Sequence, residues 1–375
     1  MSHRGAAPAG VPARGRRAGA AGVAGTRFGV RAGAVLVVLA LLVVNGYRVG
    51  GWWSAVREVR EVVAPPPVTT LPAGGPAWGT YDPEGRLAGA AGLAVEQVYL
   101  PWNGDAGRLT EAVRAVRRAG RVPLVTLEPW PAVWAGLARE DLLADVVAGR
   151  YDDAIRASCA ALGREAPQPV LVRWGHEMDL AVRVRRGGEA DPVDRYPWAT
   201  GDAPGFVAAY RHFVAGCRAA GAANVVYVWS PGGDAGLEAY WPGAAYVDYV
   251  GATVLGVAEW DAARGADRPA TFRELFDPRY RRLEAYGKPV LLCELGAPGP
   301  PEARRAWLAA AAEAVGAYPL LRAVVYYDAV DPVAWGDLGR PDWRLPPGAF
   351  PPAAPPAGAA AAASPSDPSA GAAAA

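Results

Sequence analysis

Short runs of apolar, β-branched and aromatic residues recur eight times along the chain: Ala77–Asp82, Gln97–Trp102, Val122–Pro129, Val170–Glu177, Val225–Pro231, Tyr246–Leu255, Val290–Gly296 and Ala323–Ala329. Many are nearly continuous in apolar residues, the pattern of strands buried on both faces of a parallel sheet. Ala-, Arg- and Glu-rich stretches with helical spacing lie between them, most clearly at Leu109–Ala119, Phe206–Ala220 and Glu302–Ala317. Such alternation over roughly 250 residues predicts an α/β chain closed into a (β/α)8 TIM barrel. A doubly wound sheet is the alternative. It is weakened because no Gly-rich phosphate loop follows the first run.

The flanks have other compositions. Residues 1–31 carry Arg4, Arg14, Arg16, Arg17, Arg27 and Arg31 and no acidic residue, which predicts a basic cytoplasmic segment. Residues 32–53 hold the apolar run Gly33–Val44 and the interfacial pair Trp52 and Trp53. With Arg48 snorkelling, this segment reaches the length of about 20 residues that a bilayer span needs. It reads as an uncleaved transmembrane helix in the inner membrane with the bulk of the chain in the periplasm. Secretion after signal cleavage is the alternative, although no small-x-small site follows promptly. Residues 54–75 form a Pro-rich linker, 76–345 the barrel, and 346–375 an Ala/Pro tail expected to be disordered.

The 38 Lys and Arg residues against 37 Asp and Glu leave no nucleic-acid signature. No metal-ligand cluster or nucleotide loop stands out, so no cofactor is expected. Cys159, Cys217 and Cys293 are odd in number and suit no metal spacing. They read as buried small apolar residues without a disulfide framework.

In a barrel of this type catalytic groups sit at the C-terminal ends of the strands. Those ends hold Tyr81-Asp82, Pro101-Trp102, Glu128-Pro-Trp130, Trp174-Gly-His176-Glu177, Trp229-Ser-Pro231, Glu294-Leu-Gly296 and Tyr327-Asp328. Glu177 ends the fourth run and Glu294 the seventh, on opposite sides of the mouth. Glycosidic bond cleavage typically uses such a pair, one carboxyl as acid and the other as nucleophile or base. A lone strand-end glutamate more often caps a helix or pairs with arginine. Here Glu294 follows three apolar residues, where an unpaired carboxylate is costly, and Glu177 lies within Arg173-Trp-Gly-His-Glu-Met178. Arg173 reads equally as a guanidinium keeping a carboxylate ionised and as a barrel-floor ion pair. Trp102, Trp130, Trp198 and Trp260 are candidate sugar platforms, core packing being as frequent a role for any single one. His176, Glu128, Trp229 and Tyr327 complete the candidate substrate-binding set. His212 reads as helix packing or solvent-facing.

The motifs VRWGHEMD (Val172–Asp179), YPWA (Tyr196–Ala199), AYRHF (Ala209–Phe213), VWSP (Val228–Pro231), YWPGAAYVDYVG (Tyr240–Gly251) and KPVLLCELG (Lys288–Gly296) run in order through the barrel. Together they resemble glycoside hydrolase family 26, best known for β-mannanases. The resemblance implies a retaining double displacement with Glu177 as acid/base and Glu294 as nucleophile, His176 lying near the nucleophile or the substrate. The implied substrate is a β-linked polysaccharide, β-mannan or β-glucan. The chain departs from the family at Asp179, where Asn is usual, in an Arg-rich insert from Leu180 to Arg195, and at Thr253 and Leu255, where an Asp and a nucleophile-orienting Tyr are usual. The lost Tyr and the altered Asp179 motivate a second reading, a weak or inactive glycan-binding partner of a polysaccharide synthesis or export machine. The anchor makes such a synthase or export complex a candidate partner under either reading.

Overall fold

The computed structural model describes Leu71 and residues 75–180, 195–335 and 338–350. All lie within one compact unit, Pro65–Ala375. The basic segment 1–31, the predicted anchor 32–53, most of the linker and the tail beyond Phe350 fall outside the described residues. Among the described residues no helix is long and apolar enough to cross a membrane.

The strands are β1 (Ala77–Tyr81), β2 (Leu93–Pro101), β3 (Val122–Glu128), β4 (Val170–Trp174), β5 (Val225–Trp229), β6 (Tyr249–Leu255), β7 (Val290–Gly296) and β8 (Leu321–Tyr327). They pair in sequence order, all parallel, and β1 closes on β8 from Ala77↔Ala323 to Tyr81↔Tyr327. The ring excludes the doubly wound alternative. The helices include α1 (Ala106–Arg118), α2 (Leu142–Val147), α3 (Asp152–Gly163), α4 (Ala203–Ala219), α5 (Ala258–Ala263), α6 (Phe272–Glu284) and α7 (Pro301–Ala314). Side-chain caps start three of them: Asp105 on α1, Asp202 on α4, and a capping box of Thr271 and Glu274 on α6.

Strand alternation divides the core in two. Val95, Leu124, Leu171, Val226, Tyr249 and Leu291 point inward and fill the barrel. Val125, Val170, Val172, Trp174, Trp229 and Leu292 point outward and pack under the helices. Leu71, placed by sequence in the linker, is buried with the inward set. At the other end, Ala349 is buried and the Phe350 ring meets Trp78 edge-on at 5.9 Å, so the packed chain passes the expected limit of 345.

The cysteines correct a second expectation. Cys159 on α3 and Cys217 on α4 form a disulfide, 58 residues apart in sequence, while Cys293 is a free, buried thiol. Successive barrel helices lie side by side, which brings the two sulfurs together across a separation that shows no pattern in the sequence.

Candidate active site

Both glutamates reach the mouth through departures from regular strand geometry. Strict alternation from Leu291 would send Glu294 outward with Leu292. Instead the pairing with β6 slips between Ala252 and Thr253, and that with β8 slips between Leu292 and Leu295. Such a bulge re-aims a side chain. Cys293 stays inward, Glu294 joins it, and Leu295 returns to the outer core. The fourth run ends earlier than expected, at Trp174. Gly175 (φ 58°) and Glu177 (φ 52°) both take left-handed backbone, and Glu177 is the one non-glycine with positive φ among the described residues. That conformation costs roughly 1–2 kcal/mol for an L-residue and is typical of functional turns. The Glu177 N–H anchors the turn by donating to the Ser230 carbonyl beyond β5 (2.9 Å).

Glu294 is held on one oxygen. Arg173 Nη1 donates to its Oε1 at 2.6 Å and the Tyr99 hydroxyl donates to the same atom at 2.7 Å. Arg173 is fully buried inside the barrel, so its charge needs Glu294 as much as Glu294 needs it. Gln97, with its amide oriented to satisfy its neighbours, accepts from Arg173 (3.1 Å) and donates to the Cys293 carbonyl (2.6 Å). Thr253 approaches the other guanidinium nitrogen at 3.4 Å. Burial pushes the Glu294 carboxyl upward. The Arg173 charge opposes the shift, the Glu177 charge adds to it, and the net direction is up. Burial, and then the Glu294 charge, hold the Tyr99 phenol well above its usual range, so it remains a donor.

Aromatic rings surround the pair. Tyr99 meets Tyr81 (4.6 Å) and His176 (5.8 Å), and Tyr81 meets Tyr327 (4.9 Å). His176 is buried against Tyr196 (4.7 Å), and its carbonyl accepts from Trp198 Nε1 (2.6 Å). Trp198 is itself buried and stacks on Tyr196 (4.8 Å), which makes it a support for His176 rather than an open platform. Glu128 accepts from Trp130 Nε1 (3.1 Å), and burial raises its carboxyl. Trp130 and Trp260 are each partly exposed, and Trp260 stacks on Trp335 (5.1 Å). Asp179 fixes the loop after β5 by accepting from the Gly232 N–H (2.7 Å).

Besides Trp198 as an open platform, two further sequence assignments fail. Trp102 lies one residue past β2 on the outward phase, wedged against Tyr151 and Trp174. Trp229 is also outward, against Trp241 and Tyr286. Neither faces the mouth. Tyr81, read from its strand end, does, as do Tyr99, Tyr196 and Arg195, which the sequence reading did not single out. Tyr99 stands two residues after the inward Gln97, so period-2 counting could have found it. His212 is on the surface, with Nε2 2.6 Å from Asp152.

No family model matches the chain. Endoglucanase H of Acetivibrio thermocellus is 24% identical over 265 residues, 68% of this chain and 26% of that protein, so the chain spans about a quarter of this curated relative. A GH26 β-mannanase from Bacteroides ovatus superposes with TM-score 0.50 at 15% identity, covering 68% of this chain and 81% of the other. A modular endo-β-1,4-mannanase from Cellulomonas fimi, of glycoside hydrolase family 26, gives 0.51 at 16% identity, covering 74% and 67%. The fold is shared with these mannanases.

Proposed function

We propose that this chain is a retaining β-glycoside hydrolase of the family 26 type, acting on a β-linked polysaccharide, a β-mannan or a β-glucan. The observation that carries the reading is the Glu294 carboxylate, fixed through Oε1 by Arg173 and Tyr99, while Oε2 takes no hydrogen bond among the described residues. One oxygen is locked and the other is left to react. In the first step Glu294 attacks the anomeric carbon, the glycosidic C–O bond breaks, and the Glu177 proton passes to the leaving oxygen. In the second, Glu177 takes a proton from water, whose oxygen bonds to the anomeric carbon and releases Glu294.

The alternative of an inactive glycan binder drew on the missing orienting tyrosine and on Asp179. Tyr99 supplies a phenol to Glu294 from a different strand, and Asp179 has a loop-fixing partner, so neither departure favours it. For location, the reading is a periplasmic domain on an inner-membrane anchor, working on a polysaccharide made or exported nearby. The Arg-rich start and the apolar run support it, and the Cys159–Cys217 disulfide suits an oxidising compartment.

The test is incubation of the full chain with mannan, mixed-linkage glucan and cellulose, with reducing ends measured and the product anomer followed by NMR. The expected result is product of retained configuration, abolished in Glu177→Ala and Glu294→Ala. Folded protein that releases nothing from any β-glycan would refute the reading.

A further inference from the structure

An ion pair joins opposite rims of the barrel mouth. Arg195 lies in the connection after β4 and Asp331 in the segment after β8, and these strands are four places apart in a closed ring of eight. Arg195 Nη2 donates to Asp331 Oδ2 at 2.9 Å, and the two side chains are 22% and 2% exposed. The guanidinium lies against two rings as well, 5.2 Å from the centroid of Tyr196 on its own rim and 5.2 Å from that of Trp335 on the far rim. The far end is fixed. Asp331 Oδ1 accepts from the Val333 N–H and its carbonyl accepts from Arg340 Nε. Trp335 stacks on Trp260 from the β6 side and meets Trp343 edge-on at 5.3 Å. The Arg195 charge acts on both Glu177 and Glu128, carboxylates that line the mouth.

We propose that the Arg195–Asp331 strap makes this site take a β-glycan by its chain end rather than in mid-chain. A hydrolase that cuts mid-chain must let a polymer settle sideways into an open cleft, with chain continuing beyond both rims. A contact that ties the two rims together, backed by stacked rings, blocks that approach. The proposal requires that a chain end enter beneath the strap to reach Glu177 and Glu294. Arg195 is then the residue that sets the mode of attack, and Asp331 its positioning partner. The inference rests on the hydrolase reading above.

The test measures reducing ends and viscosity in the same reaction, with the full chain and soluble mannan or mixed-linkage glucan. The expected result is accumulation of short oligosaccharides with little fall in viscosity. Arg195→Ala and Asp331→Asn each release the strap from one rim, the second keeping the bond to Val333, and each should steepen the viscosity loss per bond cleaved several-fold. Viscosity that collapses with the first bonds cut by the unaltered chain overturns the inference and leaves the hydrolase reading standing. Folded variants that keep the unaltered ratio also overturn it. Should a variant fail to fold, the ratio for the unaltered chain decides. Absence of reducing ends from every glycan removes the hydrolase reading and this inference with it.

Discussion

Replacing Tyr99 with Phe removes one hydroxyl and little else. The ring contacts with Tyr81, His176 and Tyr327, at 4.6, 5.8 and 6.3 Å, survive the change. The 2.7 Å hydrogen bond to Glu294 Oε1 does not. A hydrogen bond to a charged group contributes about 1.5–3 kcal/mol, and about 1.4 kcal/mol corresponds to a tenfold change in rate or equilibrium. The bond favours ionised Glu294, so its loss lets the proton compete better for the carboxylate. The sign follows. Burial already raises this carboxyl, the Tyr99 bond pulls it down, and the variant loses that pull. On the proposed mechanism Glu294 must be ionised to attack, so the acidic limb of the kcat/KM profile should move to higher pH. On the acid side kcat/KM should drop roughly ten- to hundredfold, and the deficit should shrink as pH rises and Arg173 alone keeps Glu294 ionised. The assay is a kcat/KM profile of Tyr99→Phe against the unaltered chain on a soluble β-glycan, with thermal unfolding as the control for folding. An unmoved acidic limb with unchanged kcat/KM would refute Tyr99 as the support of the nucleophile. An equal deficit at every pH would refute the protonation argument.

Three further outcomes follow from the packing. Arg173→Met leaves Glu294 buried without its cation and should cost about 3–5 kcal/mol of stability together with activity. Arg173→Met/Glu294→Gln should recover part of that stability while staying inactive, as read by denaturant unfolding. The unreduced, denatured chain should show one titratable thiol, Cys293, and reduction should lower stability by about 2–4 kcal/mol; three thiols before reduction would show that Cys159 and Cys217 are not joined. Gly79→Ala would place a Cβ 2.7 Å from both the Val95 Cβ and the Val95 carbonyl oxygen on β2. Such overpacking should cost about 1–3 kcal/mol, and a variant as stable as the unaltered chain would refute the close approach of β1 and β2.

The strands were legible because burial on both faces writes itself as continuous apolar runs, and the ring followed from the number of runs. That Glu177 and Glu294 come together at the mouth was legible because strand ends are where a barrel displays its chemistry. What stayed hidden depends on partners distant in sequence or on phase. Arg173 could be placed inward by counting, but its choice between a floor ion pair and a catalytic carboxylate needed the position of Glu294, 121 residues away. It is both at once, because the buried ion pair is made with the candidate nucleophile. Trp102 and Trp229 were misassigned by residue type, since an aromatic at a strand end faces the mouth only on the inward phase, and both are on the outward one. Glu294 is the opposite case. Regular period-2 counting from Leu291 puts it outside the barrel, yet it lies inside because β7 slips against both neighbours. An ionised carboxylate facing the apolar helix layer would meet a desolvation cost of several kcal/mol, whereas inside it meets Arg173 and Tyr99. The electrostatic preference of one side chain is therefore large enough to offset a local break in the ladder, and this makes the bulge and the ion pair parts of one feature.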